Sequence, residues 1–149
     1  MALRGVFKDL KNDAGALISA AALTTTDYSE TLTLGGMDSF GVMVDVGTVA
    51  HQTSGTLNIT PQFSYDSGTS WVSNPAVGYG FSKVDATTNG TVNMGVQQIT
   101  ASSEDRIAYW RNPFPSDADI RVRFALTVAG AGTHSFTLTS VKYFGRSDV

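Results

Sequence analysis

The chain has 149 residues, 42% of them hydrophobic and 15% charged, with no cysteine and a net charge of −3. This composition fits one globular domain with a sizeable core and excludes disulfides and thiolate metal sites. The acidic balance argues against nucleic acid as a partner, and no apolar stretch approaches the ~20 residues of a membrane-spanning helix, so no membrane partner is expected.

Residues 1–16 differ from the rest and read as an N-terminal arm. Leu3, Val6, Phe7 and Leu10 fall at helical spacing on one face, with Arg4, Lys8 and Lys11 off it. So short a helix is marginal alone, and Gly5 weakens it by about 1 kcal/mol relative to Ala. Its apolar face needs a cover, either the domain's own body or a neighbouring protein. The opening run Met-Ala-Leu-Arg-Gly-Val-Phe-Lys lacks the continuous apolar core of a signal peptide, so synthesis without Sec export is expected. Charge separates along the chain. Residues 12–82 hold six acids (Asp13, Asp27, Glu30, Asp38, Asp45 and Asp66) and no Lys or Arg, whereas residues 1–11 set Arg4, Lys8 and Lys11 against Asp9. Either chain neighbours balance these charges within the fold, or the basic arm meets an acidic surface on another copy or protein.

Beyond Asn12-Asp13-Ala14-Gly15, which reads as a hinge, period-2 alternation dominates. Phe40, Val42, Val44 and Val46 alternate with Gly41, Met43 and Asp45. Leu57, Ile59, Pro61, Phe63 and Tyr65 alternate with polar residues, and Ile120, Val122, Phe124, Leu126 and Val128 with Arg121, Arg123, Ala125 and Thr127. Strand side chains point to opposite faces in turn, so each run is a strand with one buried and one wet face. Strands are predicted near 17–23, 30–34, 39–47, 56–65, 69–73, 77–84, 91–99, 106–111, 119–129 and 134–144. The fold class is therefore all-β: an antiparallel two-sheet β-sandwich of jelly-roll type over residues 17–149, behind the short arm. Val42, Val44, Leu57, Ile59, Val122, Phe124, Leu126, Phe136 and Leu138 are its expected core.

Local details sharpen this reading. Asn89-Gly90 suits a tight turn. The last two long strands, joined through Gly130 and Gly132, read as a hairpin. Near Ser140 the apolar register slips from Phe136 and Leu138 to Val141 and Tyr143, which a β-bulge would repair. Pro61 cannot donate to a ladder, so its strand should lie at an edge or carry a bulge. Tyr109 and Trp110, adjacent on a strand, cannot both enter the interior. Trp71, Tyr79 and Phe81, with Tyr109 and Trp110, are either core or an exposed aromatic platform for sugars or a partner.

Ser64-Tyr65-Asp66-Ser67-Gly68-Thr69-Ser70-Trp71 matches the S-x-D-x-G-x-[ST]-W pattern of Asp-box hairpins. There Asp accepts turn amides, Gly supplies a permissive backbone and Trp packs back over the hairpin. It reads as structural. No reactive constellation accompanies it. His51 and His134 adjoin turns without metal spacing, and no G-x-S-x-G elbow occurs. Glu104-Asp105 and Asp117-x-Asp119 read as solvated loops rather than a calcium site. The sequons at Asn58 and Asn89 read as coincidence. The expectation is no enzyme, no catalytic residue, no metal and no cofactor.

The whole pattern resembles tailed-bacteriophage virion sandwiches, and head decoration (capsid cement) proteins most. It is carried by the cysteine-free, Thr/Gly/Val-rich composition, the short arm, the strand-turn from Thr56 to Gly68 and the long closing hairpin, over about residues 17–144. The resemblance implies a non-enzymatic virion protein that binds the outer capsid surface and stabilises the head. The implied partners are the major capsid protein and copies of itself, by analogy as a trimer, and the implied location is the virion after synthesis in the host cytoplasm. Leu3, Arg4, Val6, Phe7, Lys8 and Leu10 of the arm are then the candidate residues for binding the capsid or a neighbouring subunit. A tail- or fibre-associated sandwich, or a receptor- or carbohydrate-binding module, is the alternative.

Overall fold

Alternating apolar rows force the chain into two antiparallel sheets packed face to face, a β-sandwich. The computed structural model describes residues 7–51, 55–73, 97–99, 106–112, 114, 119–130 and 132–146. In chain order these form β1 (Lys8–Asp9), a 3₁₀ turn (Ile18–Ala20), β2 (Asp27–Tyr28), β3 (Leu32–Thr33), β4 (Ser39–His51) and β5 (Thr56–Ser64). They continue with β6 (Val72–Ser73), β7 (Gln97–Ile99), β8 (Arg106–Arg111), β9 (Arg121–Ala129) and β10 (His134–Arg146). The first sheet has the order β1-β10-β4-β8. The second has β2-β9-β5-β6, with β3 also on β9 and β7 also on β5. Residues 74–96, on whose connections the jelly-roll expectation turns, lie outside the described residues, as do Tyr79, Phe81 and the Asn89-Gly90 turn.

All nine expected core residues are buried. At the centre, Phe40 and Trp110 from the first sheet meet Phe63 and Phe124 from the second. Ring centroids lie 5.8 Å apart for Phe40–Trp110, 5.7 Å for Trp110–Phe124, 6.2 Å for Phe40–Phe124 and 5.9 Å for Phe40–Phe63. Offset and edge contacts of this kind add to plain area burial and tie the two layers together. Trp110 is thus the inward member of the Tyr109–Trp110 pair.

The bulge near Ser140 is present, and it is double. The β10–β4 ladder pairs Thr137 with Thr48, Leu138 with Val46 and Ser140 with Asp45, so Gly47 and Thr139 are each left over. One extra residue on each strand keeps both Leu138 and Val141 inside, opposite Val46 and Val44. Gly47 is required by close approach: a Cβ there would stand 2.8 Å from the Thr137 carbonyl oxygen.

Four sequence expectations give way to tertiary pairing. The helix over the arm is absent where the chain is described. Lys8 and Asp9 pair instead with Tyr143 and Lys142 of β10, because an open strand edge supplies hydrogen bonds that a one- or two-turn helix cannot retain in water. The strand near 17–23 is a 3₁₀ turn with isolated bridges at Leu17 and Leu23. The last two long strands are not a hairpin: β9 lies in the second sheet and β10 in the first, so Gly130 and Gly132 carry the chain between layers. Pro61 sits on an interior strand without a register shift toward β9. On its other side β7 covers Leu57–Ile59 and β6 covers Gln62–Phe63, and among the described residues no strand partner faces Thr60 or Pro61 there.

The segment after β1 laces the layers. Leu10 donates its backbone N–H to Val141 in the first sheet, while Asn12 bridges Ser29 beside the second. Leu10 is only 1% exposed and belongs to the core. Leu23 then exchanges both backbone hydrogen bonds with Phe136, covering more of the β10 edge. Where it is described, the segment before residue 16 therefore packs onto the sandwich. No helix among the described residues is long and apolar enough to cross a membrane.

Candidate functional site

The Asp-box turn between β5 and β6 is built from its own side chains. The Ser64 hydroxyl, fully buried, donates to Asp66 Oδ1 at 2.7 Å and accepts the Gly68 N–H at 2.8 Å. Asp66 Oδ1 also accepts the Ser70 N–H at 2.8 Å. These donors, the Ser64 hydroxyl foremost and the Ser70 amide next, hold the Asp66 carboxyl down at about 2. Ser67 and Gly68 both take positive φ, 59° and 91°, which closes the turn. The effect is to fix Trp71 and to deliver β6 to the edge of β5.

What Trp71 then meets was not foreseen from the sequence. The Arg123 guanidinium lies 4.4 Å from the Trp71 ring centroid and 4.1 Å from that of Tyr28. Tyr28 comes from β2 on one side of β9, and Trp71 from the turn before β6 on the other. Arg123 Nε donates to Gln62 Oε1 at 2.7 Å, and Gln62 Nε2 donates to Ser73 Oγ at 2.7 Å. Among the described residues no acceptor takes a hydrogen bond from either terminal amino group of Arg123, and no carboxylate pairs with it. One step along the same row, Arg121 is already occupied: its Nε lies 3.3 Å from Asp119 and its Nη1 donates to Thr33 Oγ1 at 3.1 Å.

This row is the outer face of the second sheet. Its cross-strand partners are Asn58 with Thr127, Thr60 with Ala125, Gln62 with Arg123 and Ser64 with Arg121. Tyr28 stands opposite Ala125 and Thr33 opposite Arg121. Hydroxyls and amides therefore surround a single clamped guanidinium.

The described arm residues, Phe7, Lys8 and Leu10, are not gathered into one site. Leu3, Arg4 and Val6 lie outside the described residues. Leu10 is in the core and cannot face a partner. Lys8 lies exposed on β1, and Phe7 is 45% exposed with its ring 5.1 Å from Phe144. The neighbouring Asp9 is paired with Lys142 at 3.0 Å. A cleft of about 110 Å³ opens near Phe144 between the layers, lined by Leu32, Leu34, Met37, Phe40, Phe124 and Tyr143 among others. Burial, with Glu30 second, raises the Tyr143 hydroxyl above its usual range, so it stays neutral. Among the described residues no three His, Asp or Glu side chains converge as metal ligands would.

Sequence reasoning did signal part of this face. Arg121 and Arg123 fall on the wet parity of their strand, as do Asn58, Thr60 and Gln62 on theirs. The register that sets Gln62 against Arg123, and the position of Tyr28, depend on long-range pairing that alternation does not encode. Comparison of the chain with protein-family models, with curated proteins and with solved structures finds no match to any of them.

Proposed function

We propose that the protein is a non-enzymatic structural protein of a phage virion, a decoration or cement protein that binds the outer capsid surface and copies of itself. The observation that supports this most is the aromatic edge where the basic N-terminal segment joins the first sheet. Phe7 stays 45% exposed on Phe144 instead of entering the core, beside the exposed Lys8. Phenylalanine is among the aromatic residues enriched at protein interfaces. Leu10 leaves the list of docking residues, and Phe7 and Lys8 remain on it. A packed apolar core that ties two sheets together suits a stabilising role.

The test is quantitative mass spectrometry of virions separated into heads and tails. The expected result is recovery with intact heads, in fixed proportion to the major capsid protein, and loss of binding on Phe7→Ala. Recovery with tails, or absence from virions, overturns the reading. A tail- or fibre-associated receptor-binding sandwich is the second reading, favoured by the Tyr28–Arg123–Trp71 arrangement on a face remote from the Phe7 edge in strand order.

A further inference from the structure

We propose that the outer face of the second sheet binds a carboxylate-bearing sugar, with Arg123 as its anchor between Tyr28 and Trp71. The inference does not depend on where in a virion, or whether in one, the protein resides.

Arginine recognises carboxylates through a planar fork of N–H groups, two of which match the two oxygens. In this protein the fork is already oriented. Gln62 occupies Nε, the two rings hold the guanidinium at 4.1 and 4.4 Å, and the terminal amino groups are left without an acceptor among the described residues. Clamping removes side-chain freedom before the ligand arrives, so less is lost on binding. The two rings also displace water from around the guanidinium, which strengthens a hydrogen bond made at its edge. A carboxylate coplanar with the fork would sit between the two rings, and its carrier would rest on them.

Three observations select the carrier. The described part of this face holds one unneutralised cation, since Arg121 is paired with Asp119. That suits one carboxylate at a time and not a polyphosphate. Next, the groups around Arg123 are hydroxyls and amides: Thr60, Gln62, Ser73, Thr127 and Thr33. The buried centres of protein interfaces are aromatic and apolar, and serine is depleted there, whereas hydroxyl-rich ligands need such donors and acceptors. Finally, Trp71 is fixed by the Asp-box turn but only half-buried, so ring surface remains for the C–H face of a pyranose.

The experiment titrates the full chain with oligogalacturonate, with the carboxyl-reduced neutral oligosaccharide and with poly-glutamate, following tryptophan fluorescence and backbone amide shifts. Because Trp110 is buried, a fluorescence change reports Trp71. The expected result is binding of oligogalacturonate, with shifts centred on Tyr28, Gln62, Trp71, Ser73 and Arg123. The neutral oligosaccharide should bind at least tenfold more weakly, and Arg123→Gln should lose at least tenfold in affinity. Arg123→Lys keeps the charge but not the fork and should show a similar loss, which covers the case in which the glutamine variant fails to fold. No binding at millimolar oligogalacturonate overturns the proposal, as do shifts centred elsewhere or unchanged affinity in both variants. Equal affinity for poly-glutamate also overturns it, in favour of an acidic protein partner.

Discussion

Phe124 tests the core directly. Its ring is 1% exposed and touches Trp110 and Phe40, both from the opposite sheet, at centroid distances of 5.7 and 6.2 Å. Removing a fully buried phenylalanine ring costs about 3–5 kcal/mol, more when the surroundings cannot collapse. Collapse is restricted at this position because β9 is hydrogen-bonded to β5 on one side and to β2 and β3 on the other. We therefore expect Phe124→Ala to cost about 4 kcal/mol. A domain of this size has only about 5–15 kcal/mol in total, and each kcal/mol moves the melting temperature by roughly 2–4 °C. The variant should melt roughly 8–16 °C below the parent, with a urea midpoint lowered at unchanged slope. A loss below about 1 kcal/mol would refute the shared aromatic centre and mean that the inner and outer faces of β9 are exchanged.

Other positions separate further parts of the argument. Leu10→Ala should cost about 2–5 kcal/mol by chemical denaturation, as for any filled core site, whereas Phe7→Ala should cost at most about 1.5 kcal/mol, the worth of one aromatic pair. Ser29, buried, accepts the Phe124 N–H at 2.8 Å through its hydroxyl, so Ser29→Ala should cost about 1–3 kcal/mol, the penalty for a stranded buried donor. Asp66 binds its proton more weakly in the fold, at about 2, than its ordinary value of 3.8. Its stabilisation is therefore complete above about pH 4 and is lost as pH falls toward 2. Amide shifts of Gly68 and Ser70 should follow that titration, and Asp66→Asn should abolish it.

Where alternation is long and one face is buried, the sequence was legible: β4, β5, β9 and β10 and the nine core residues lie where period-2 patterning puts them. Even the β10 bulge could be read, because Phe136 and Val141 demand opposite parities. What failed had no such internal constraint. The arm carried helical spacing in Leu3, Val6, Phe7 and Leu10, yet a strand edge on β10 outbids a helix too short to nucleate. Which sheet β10 joins is a matter of pairing partner, and a Gly-rich connection fits a hairpin and a crossing between layers equally well. The Arg123 arrangement was invisible for the same reason. Tyr28, Trp71 and Arg123 are 43 and more positions apart in the chain, and only the β2–β9 and β5–β9 registers bring them within contact.

The edges of the sandwich bear on how it can associate. On one side of the second sheet the outermost strands, β2 and β3, run two residues each. The β10 edge of the first sheet is covered by β1, Leu10 and Leu23. Strands so short and interrupted are poor templates for adding another chain's strand. At the other side of the first sheet, β8 carries an arginine at each end of its described length, and end charges of one sign oppose its pairing with its own copy. Association through backbone ladders is thus discouraged at these described edges. Contacts with a capsid, a copy or a glycan then fall to side chains: the Phe7–Phe144 edge and the Arg123 face. These two surfaces lie on different sheets, so one can be occupied without blocking the other.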